Sequence, residues 1–90
     1  MKVKLSKKDR KVIGEYLKDA RLKKGFSQIE LSNVLGYESG QSISNWERGL
    51  GEVPIDKLGK IVRVLDIDEG KLVRLILKCV SSYLWSKVAP

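Results

Sequence analysis

The stretch Ser27–Gly49, SQIELSNVLGYESGQSISNWERG, limits the possible folds of this chain more than any other. It holds two short helical patterns separated by a turn-rich break. Ser27 caps the first, and Glu30 three residues on completes a capping box, in which each side chain satisfies the other residue's backbone N–H. Leu31, Val34 and Leu35 give that helix an inward face. Ser32, small and in mid-helix, lets another helix cross closely at a steep angle. Gly36 ends the helix, and Tyr37-Glu38-Ser39-Gly40 is turn chemistry. A third helix is predicted from Gln41 to about Arg48, stopped by Gly49. The remainder of the chain reads as scaffold that holds this pair at a fixed angle.

The third helix has two unlike faces. Ile43, Trp46 and the stem of Glu47 look inward. Gln41, Ser42, Ser44, Asn45 and Arg48 look outward. An outward stripe of amides and hydroxyls, in place of the usual Glu and Lys, is unusual. Gln and Asn side chains offer a paired donor and acceptor, the equipment needed to read base edges in a DNA major groove.

Around this pair the chain divides as follows. Residues 1–5 are expected to be a flexible arm. Ser6 can cap helix 1, with Asp9 near the positive end of its dipole. Helix 1 then runs to about Lys23, with an apolar stripe of Ile13, Leu17 and Ala20 and with Val12 and Tyr16 beside it. Gly25 suits the position just past its end. Pro54 suits the first turn of helix 4, where its missing N–H would be unpaired anyway. Ile55, Leu58, Ile61, Val62 and Leu65 supply that helix's core stripe. Asp68 is the expected cap of helix 5, from about Glu69 to Lys87. No segment shows strand alternation, so the fold class is all-α: a compact five-helix domain over residues 6–68 with an extended C-terminal helix over 69–90.

Helix 5 carries a second expectation. Leu72, Val73, Leu75, Ile76, Leu77, Cys79, Val80, Tyr83, Leu84 and Val88 spread over about 220° of its circumference, whereas one contact with its own domain needs only about 100°. The excess is expected to pack on the same helix of a second chain in a two-fold dimer, through Leu72, Ile76, Val80, Tyr83 and Leu84.

Ninety residues allow one core. The formal charge is +7, and its placement is informative. Residues 1–24 carry ten Lys and Arg against three Asp and Glu, an excess of seven, whereas residues 25–90 carry eight of each. A clustered basic face is the footprint of a polyanionic partner. Cys79 is the single cysteine; its apolar flanks make it a buried small hydrophobe. Histidine is absent, so Cys79 has no His to activate it and no Cys/His metal cluster can form. Nor is there a phosphate-cradling glycine motif. No catalytic residue, metal site or cofactor is expected. The charged N-terminus is followed by no apolar signal segment, and polar residues break Leu72–Val88, so no membrane span is expected. The expected location is the cytoplasm.

The residues also resemble a family. Arg21, the run Ser27-Gln28-x-Glu30-Leu31-Ser32, Gly36, the run Ile43-Ser44-x-Trp46-Glu47-x-Gly49, and Pro54 occur in the order found in lambda-repressor-like (Cro/repressor, XRE-type) helix-turn-helix domains. The resemblance covers about Ile13 to Leu72. It implies a five-helix domain that binds operator DNA, usually as a dimer. It also implies that Arg21 and Glu47 pair across the core, for which there is an independent reason: a buried carboxylate needs a partner. By the same resemblance, Gln41, Ser42, Ser44 and Asn45 are the base-facing candidates, and Ser27, Gln28, Tyr37, Ser39 and Arg48 the candidates for backbone contacts. Two features depart from the family. The Gly36–Gln41 turn is one residue longer than in its tightest members. The loop after Gly49, often basic in the family, reads Leu50-Gly51-Glu52-Val53 and carries no cation.

The expected function is therefore a sequence-specific regulator of transcription, a small repressor or controller that binds double-stranded DNA as a homodimer. The alternative is a protein-interaction module, such as an antitoxin or transcription adaptor, that uses the same fold to grip a protein partner through helix 5.

Overall fold

A computed structural model describes residues 3–89. Five α-helices and one 3-10 turn follow in order: α1 (Lys7–Lys23), α2 (Gln28–Leu35), α3 (Gln41–Glu47), the 3-10 turn (Ile55–Lys57), α4 (Leu58–Leu65) and α5 (Glu69–Val88). No strand occurs among the described residues.

The local signals act where the sequence places them. The Ser6 hydroxyl accepts the Asp9 N–H at 3.1 Å. Ser27 and Glu30 form both hydrogen bonds of the capping box, at 3.0 and 2.9 Å. The Ser27 backbone N–H, which donates to Glu30 Oε1, and then the Ser27 hydroxyl beside it hold the Glu30 carboxyl below its ordinary pKa. The Asp68 carboxylate accepts the Lys71 N–H at 3.1 Å. Gly25, Gly36 and Gly49 all have positive φ just past helix ends, a conformation glycine adopts without a Cβ penalty.

The core is one cluster. Ile13 and Leu17 of α1, Leu31 and Leu35 of α2, Ile43 and Trp46 of α3, Ile61 and Leu65 of α4, Ile67, and Leu72 and Cys79 of α5 are all buried. Ser32 is wholly buried in mid-helix, and its hydroxyl donates to the Ser39 carbonyl across the turn. Burial raises the Cys79 thiol pKa, and the charge of Asp9 raises it further.

Four expectations change. Pro54 precedes a 3-10 turn rather than the first turn of α4. The tighter winding takes Ile55 off the core stripe and leaves it 86% exposed. Val34 and Val12 are exposed rather than inward; α2 is short and is covered only at Leu31, Ser32 and Leu35. The arm is anchored at its inner end: Leu5 packs against the core, and its carbonyl accepts from Arg10 Nη1 at 2.7 Å. Met1 and Lys2 of that arm, and Pro90 at the other end, lie outside the described residues. Lastly, Leu72, expected at a dimer interface, is 2% exposed and belongs to its own domain's core.

Candidate nucleic-acid interface

The seven residues of α3 are too few to be stable as an isolated helix, so its neighbours must hold it. Ile43, Trp46 and Glu47 are buried beneath it. On the α1 side the contact is backbone to backbone. A Cβ at Gly14 would stand 1.9 Å from the Trp46 carbonyl oxygen, so only glycine permits this crossing. Arg10 adds a clamp, its Nε donating to the Gly49 carbonyl at 3.0 Å. At the other end of the turn, the rings of Tyr37 and Trp46 meet edge to face, with centroids 5.7 Å apart. Lys57 Nζ lies over Tyr37 and donates to the Leu35 carbonyl at 3.1 Å, satisfying an acceptor left free at the end of α2.

Arg21 and Glu47 are paired. Arg21 Nε donates to Glu47 Oε2 at 2.6 Å and Nη2 to Oε1 at 3.0 Å. The two side chains are 7% and 5% exposed. Arg21 Nη1 donates to the Phe26 carbonyl at 2.8 Å. A bidentate geometry with these further bonds is what a buried ion pair requires to offset its desolvation.

Gln28 is placed differently from its expected role. Its Nε2 donates to Glu47 Oε1 at 2.9 Å, because the carboxylate can accept a third donor. The Gln28 side chain thus braces α3 from α2. The N–H groups of Gln28 and Ile29 at the start of α2 have no partner within the helix, unlike that of Glu30, which Ser27 takes.

The outward face of α3 is a connected polar line. Gln41 Nε2 donates to Asn45 Oδ1 at 2.9 Å, and Arg48 Nη2 donates to the same oxygen at 3.1 Å. Arg48 Nε reaches the Ser44 carbonyl at 3.4 Å. With Asn45 Oδ1 occupied, the Asn45 amide protons, Gln41 Oε1 and Arg48 Nη1 remain to meet a ligand. Such a line presents donors beside an acceptor, as a base edge does. Ser42 and Ser44 are half-buried on its flanks. Ser39 is exposed beside it, its hydroxyl accepting the Gln41 N–H at 3.3 Å.

A family model described as helix-turn-helix matches residues 17–72, more than half of the chain. The chain belongs to the lambda-repressor-like, XRE-type helix-turn-helix family. No curated protein and no solved structure matches it. In this helix-turn-helix domain α2 and α3 are the paired helices, and the domain is of the DNA-binding, transcription-regulating kind. No helix among the described residues is long and apolar enough to cross a membrane.

Away from the helix-turn-helix pair, the expected dimer residues divide. Ile76, Val80 and Tyr83 are half-buried, and Leu84 is exposed. Val73, Leu77, Trp85 and Val88 are exposed as well, Leu77 by 59%. Val73, Leu77, Val80 and Leu84 recur at alternating steps of four and three, the spacing of a helix–helix seam, and that line lies away from the buried Leu72–Cys79 line. The sequence reading missed Gly14, Arg10 and Lys57. The first reads only as a weak residue within a helix, and the other two read as surface charge.

Proposed function

We propose that this protein is a sequence-specific regulator that binds double-stranded operator DNA as a homodimer, with α3 in the major groove. The observation that carries this reading is the Gln41–Asn45–Arg48 line. It consists of polar side chains on the outer face of a helix fixed from behind by a buried ion pair and a glycine crossing, so its groups are held in position before any partner arrives. In this reading Gln41 and Asn45 meet base edges, with Ser42 and Ser44 at the margins, and an adenine offering N6 and N7 is the best complement to either amide. Ser27, Ser39, Arg48 and the free N–H groups of Gln28 and Ile29 serve the flanking phosphates. Tyr37 serves from its seat against Trp46.

The two-fold partner packs on α5 along Val73, Leu77, Val80 and Leu84. A contiguous apolar line of this length, exposed except for the half-buried Val80, is unusual for a monomer, and its seam spacing lets it face a copy of itself. The same line also suits a different protein, the second reading. Sedimentation at micromolar concentration separates them: a dimer supports the first, and a monomer favours a heterologous partner. Binding to duplex DNA across a salt series tests the DNA reading itself. Affinity falls steeply as salt rises if phosphates are neutralised, and absence of binding at low salt overturns the proposal.

A further inference from the structure

The charge excess of the chain lies on and before α1, and the fold determines which of these lysines borders α3. A helix advances about 100° per residue. Gly14 and Arg21 mark the line along which α1 meets α3, through the Trp46 carbonyl and Glu47. Lys7, Lys11 and Lys18 fall within about 40° of one another, on the solvent side of that line, and all three are exposed. A close approach fixes the place of Lys7 and Lys11, and Lys18 follows from the helix turn: a Cβ at Gly49 would lie 3.0 Å from both Lys11 Cβ and the Lys7 carbonyl oxygen. Lys23 lies on another side of α1, where with Lys71 it lines a cleft against the α4–α5 link. The ion pairs among the described residues are Arg21–Glu47 and Lys24–Asp66, so none of the three lysines is engaged in one. Glu15, near Lys11 and Lys18, and Glu52, in the loop after α3, offset part of their charge.

The loop that borders this margin has no cation of its own, and Arg10 and Arg48 beside it are held by the Gly49 carbonyl and by Ser44 and Asn45. Residues Leu50–Val53, which leave the end of α3, carry only the negative charge of Glu52. We propose that Lys7, Lys11 and Lys18 form a ridge that neutralises the phosphates of one DNA strand beside the groove that α3 enters. The proposal rests on the DNA-binding reading above. The ridge runs about 16 Å along α1, and a DNA strand places a phosphate every ~3.4 Å along its axis. Lysine suits this role: a mobile point charge follows a backbone without demanding the fixed geometry of a guanidinium. The ridge supplies affinity, and α3 supplies choice.

The test compares two triple variants of equal charge change, K7Q/K11Q/K18Q and K8Q/K23Q/K71Q; Lys8 lies about 60° or more around α1 from the ridge. Each is titrated against a duplex enriched by selection with the wild-type protein and against a random-sequence duplex, across a potassium chloride series. The ridge variant is expected to weaken both duplexes by a similar factor, about tenfold or more at low salt. Its dependence of log affinity on log salt is expected to flatten by about two to three per protomer. The second variant is expected to lose distinctly less, and K7R/K11R/K18R to keep the wild-type slope. Equal losses in the two glutamine variants overturn the ridge while leaving the DNA reading intact. So does a loss in the arginine variant matching that of the ridge glutamines, which would make the lysines structural. Failure of the wild-type protein to bind either duplex overturns both readings together.

Discussion

The α1–α3 crossing and the outer half of α5 are held by opposite means. At the crossing, a glycine, a bidentate ion pair and a bracing glutamine fix a short helix whose apolar area is too small to fix it. On α5, apolar side chains are plentiful, yet beyond Cys79 none is fully buried. The first region has little surface and high geometric demand. The second has much surface and nothing among the described residues that covers it. Position is thus specified beneath the polar line of α3, and apolar surface is left over along the outer side of α5.

This contrast can be broken most readily at Glu47. Glu47→Gln leaves Arg21 buried without its charge partner and is expected to cost about 3–5 kcal/mol in chemical denaturation; wild-type stability would show that the pair holds nothing in place. On α5 the contrast predicts a split between two leucines of one helix. Leu72→Ala is expected to destabilise the fold by about 2–5 kcal/mol. Leu77→Glu is expected to change the stability of the folded chain by less than about 0.5 kcal/mol, while converting a dimer to a monomer in sedimentation. Equal effects on stability would erase the distinction between inward and outward lines.

Gly14→Ala is expected to cost up to about 3 kcal/mol, since overpacking against a backbone carbonyl has no side chain to displace. Wild-type melting would mean that α1 and α3 do not touch. The smallest effect concerns the α2 cap. Because the folded-state pKa of Glu30 is depressed, its contribution is present above the ordinary glutamate range and is lost as pH falls through the lower folded value. The melting-temperature gap between wild type and Glu30→Ala should therefore close on acidification, and a gap unchanged at low pH would contradict the capping role.

The features legible in the sequence were the local ones. Ser6, Ser27, Asp68 and the positive-φ glycines act within a few residues of their own positions, so spacing alone located the helix ends. The Arg21–Glu47 pair spans 26 positions in the chain. It was legible because a carboxylate at an inward position demands a base and the family pattern names one. Gly14 and Arg10 were not legible, because their meaning lies in the α3 backbone that reaches them from elsewhere in the chain. The inward line of α5 was misassigned at Leu72 because an apolar arc wider than one contact does not say which edge its own domain takes. Ile55 was misassigned because a proline opens a 3-10 turn as readily as an α-helix.

In the proposed complex the outer line of α3 chooses bases. Selection of bound duplexes from a random pool, repeated with Asn45→Ala, tests it directly. Two related half-sites are expected for the wild-type protein. For Asn45→Ala the same half-sites are expected otherwise, with relaxed preference at one position in each, worth about 1–3 kcal/mol, and the other positions unchanged. No enriched sequence, or a uniform loss of affinity from Asn45→Ala at every position, would contradict that choice of bases by α3.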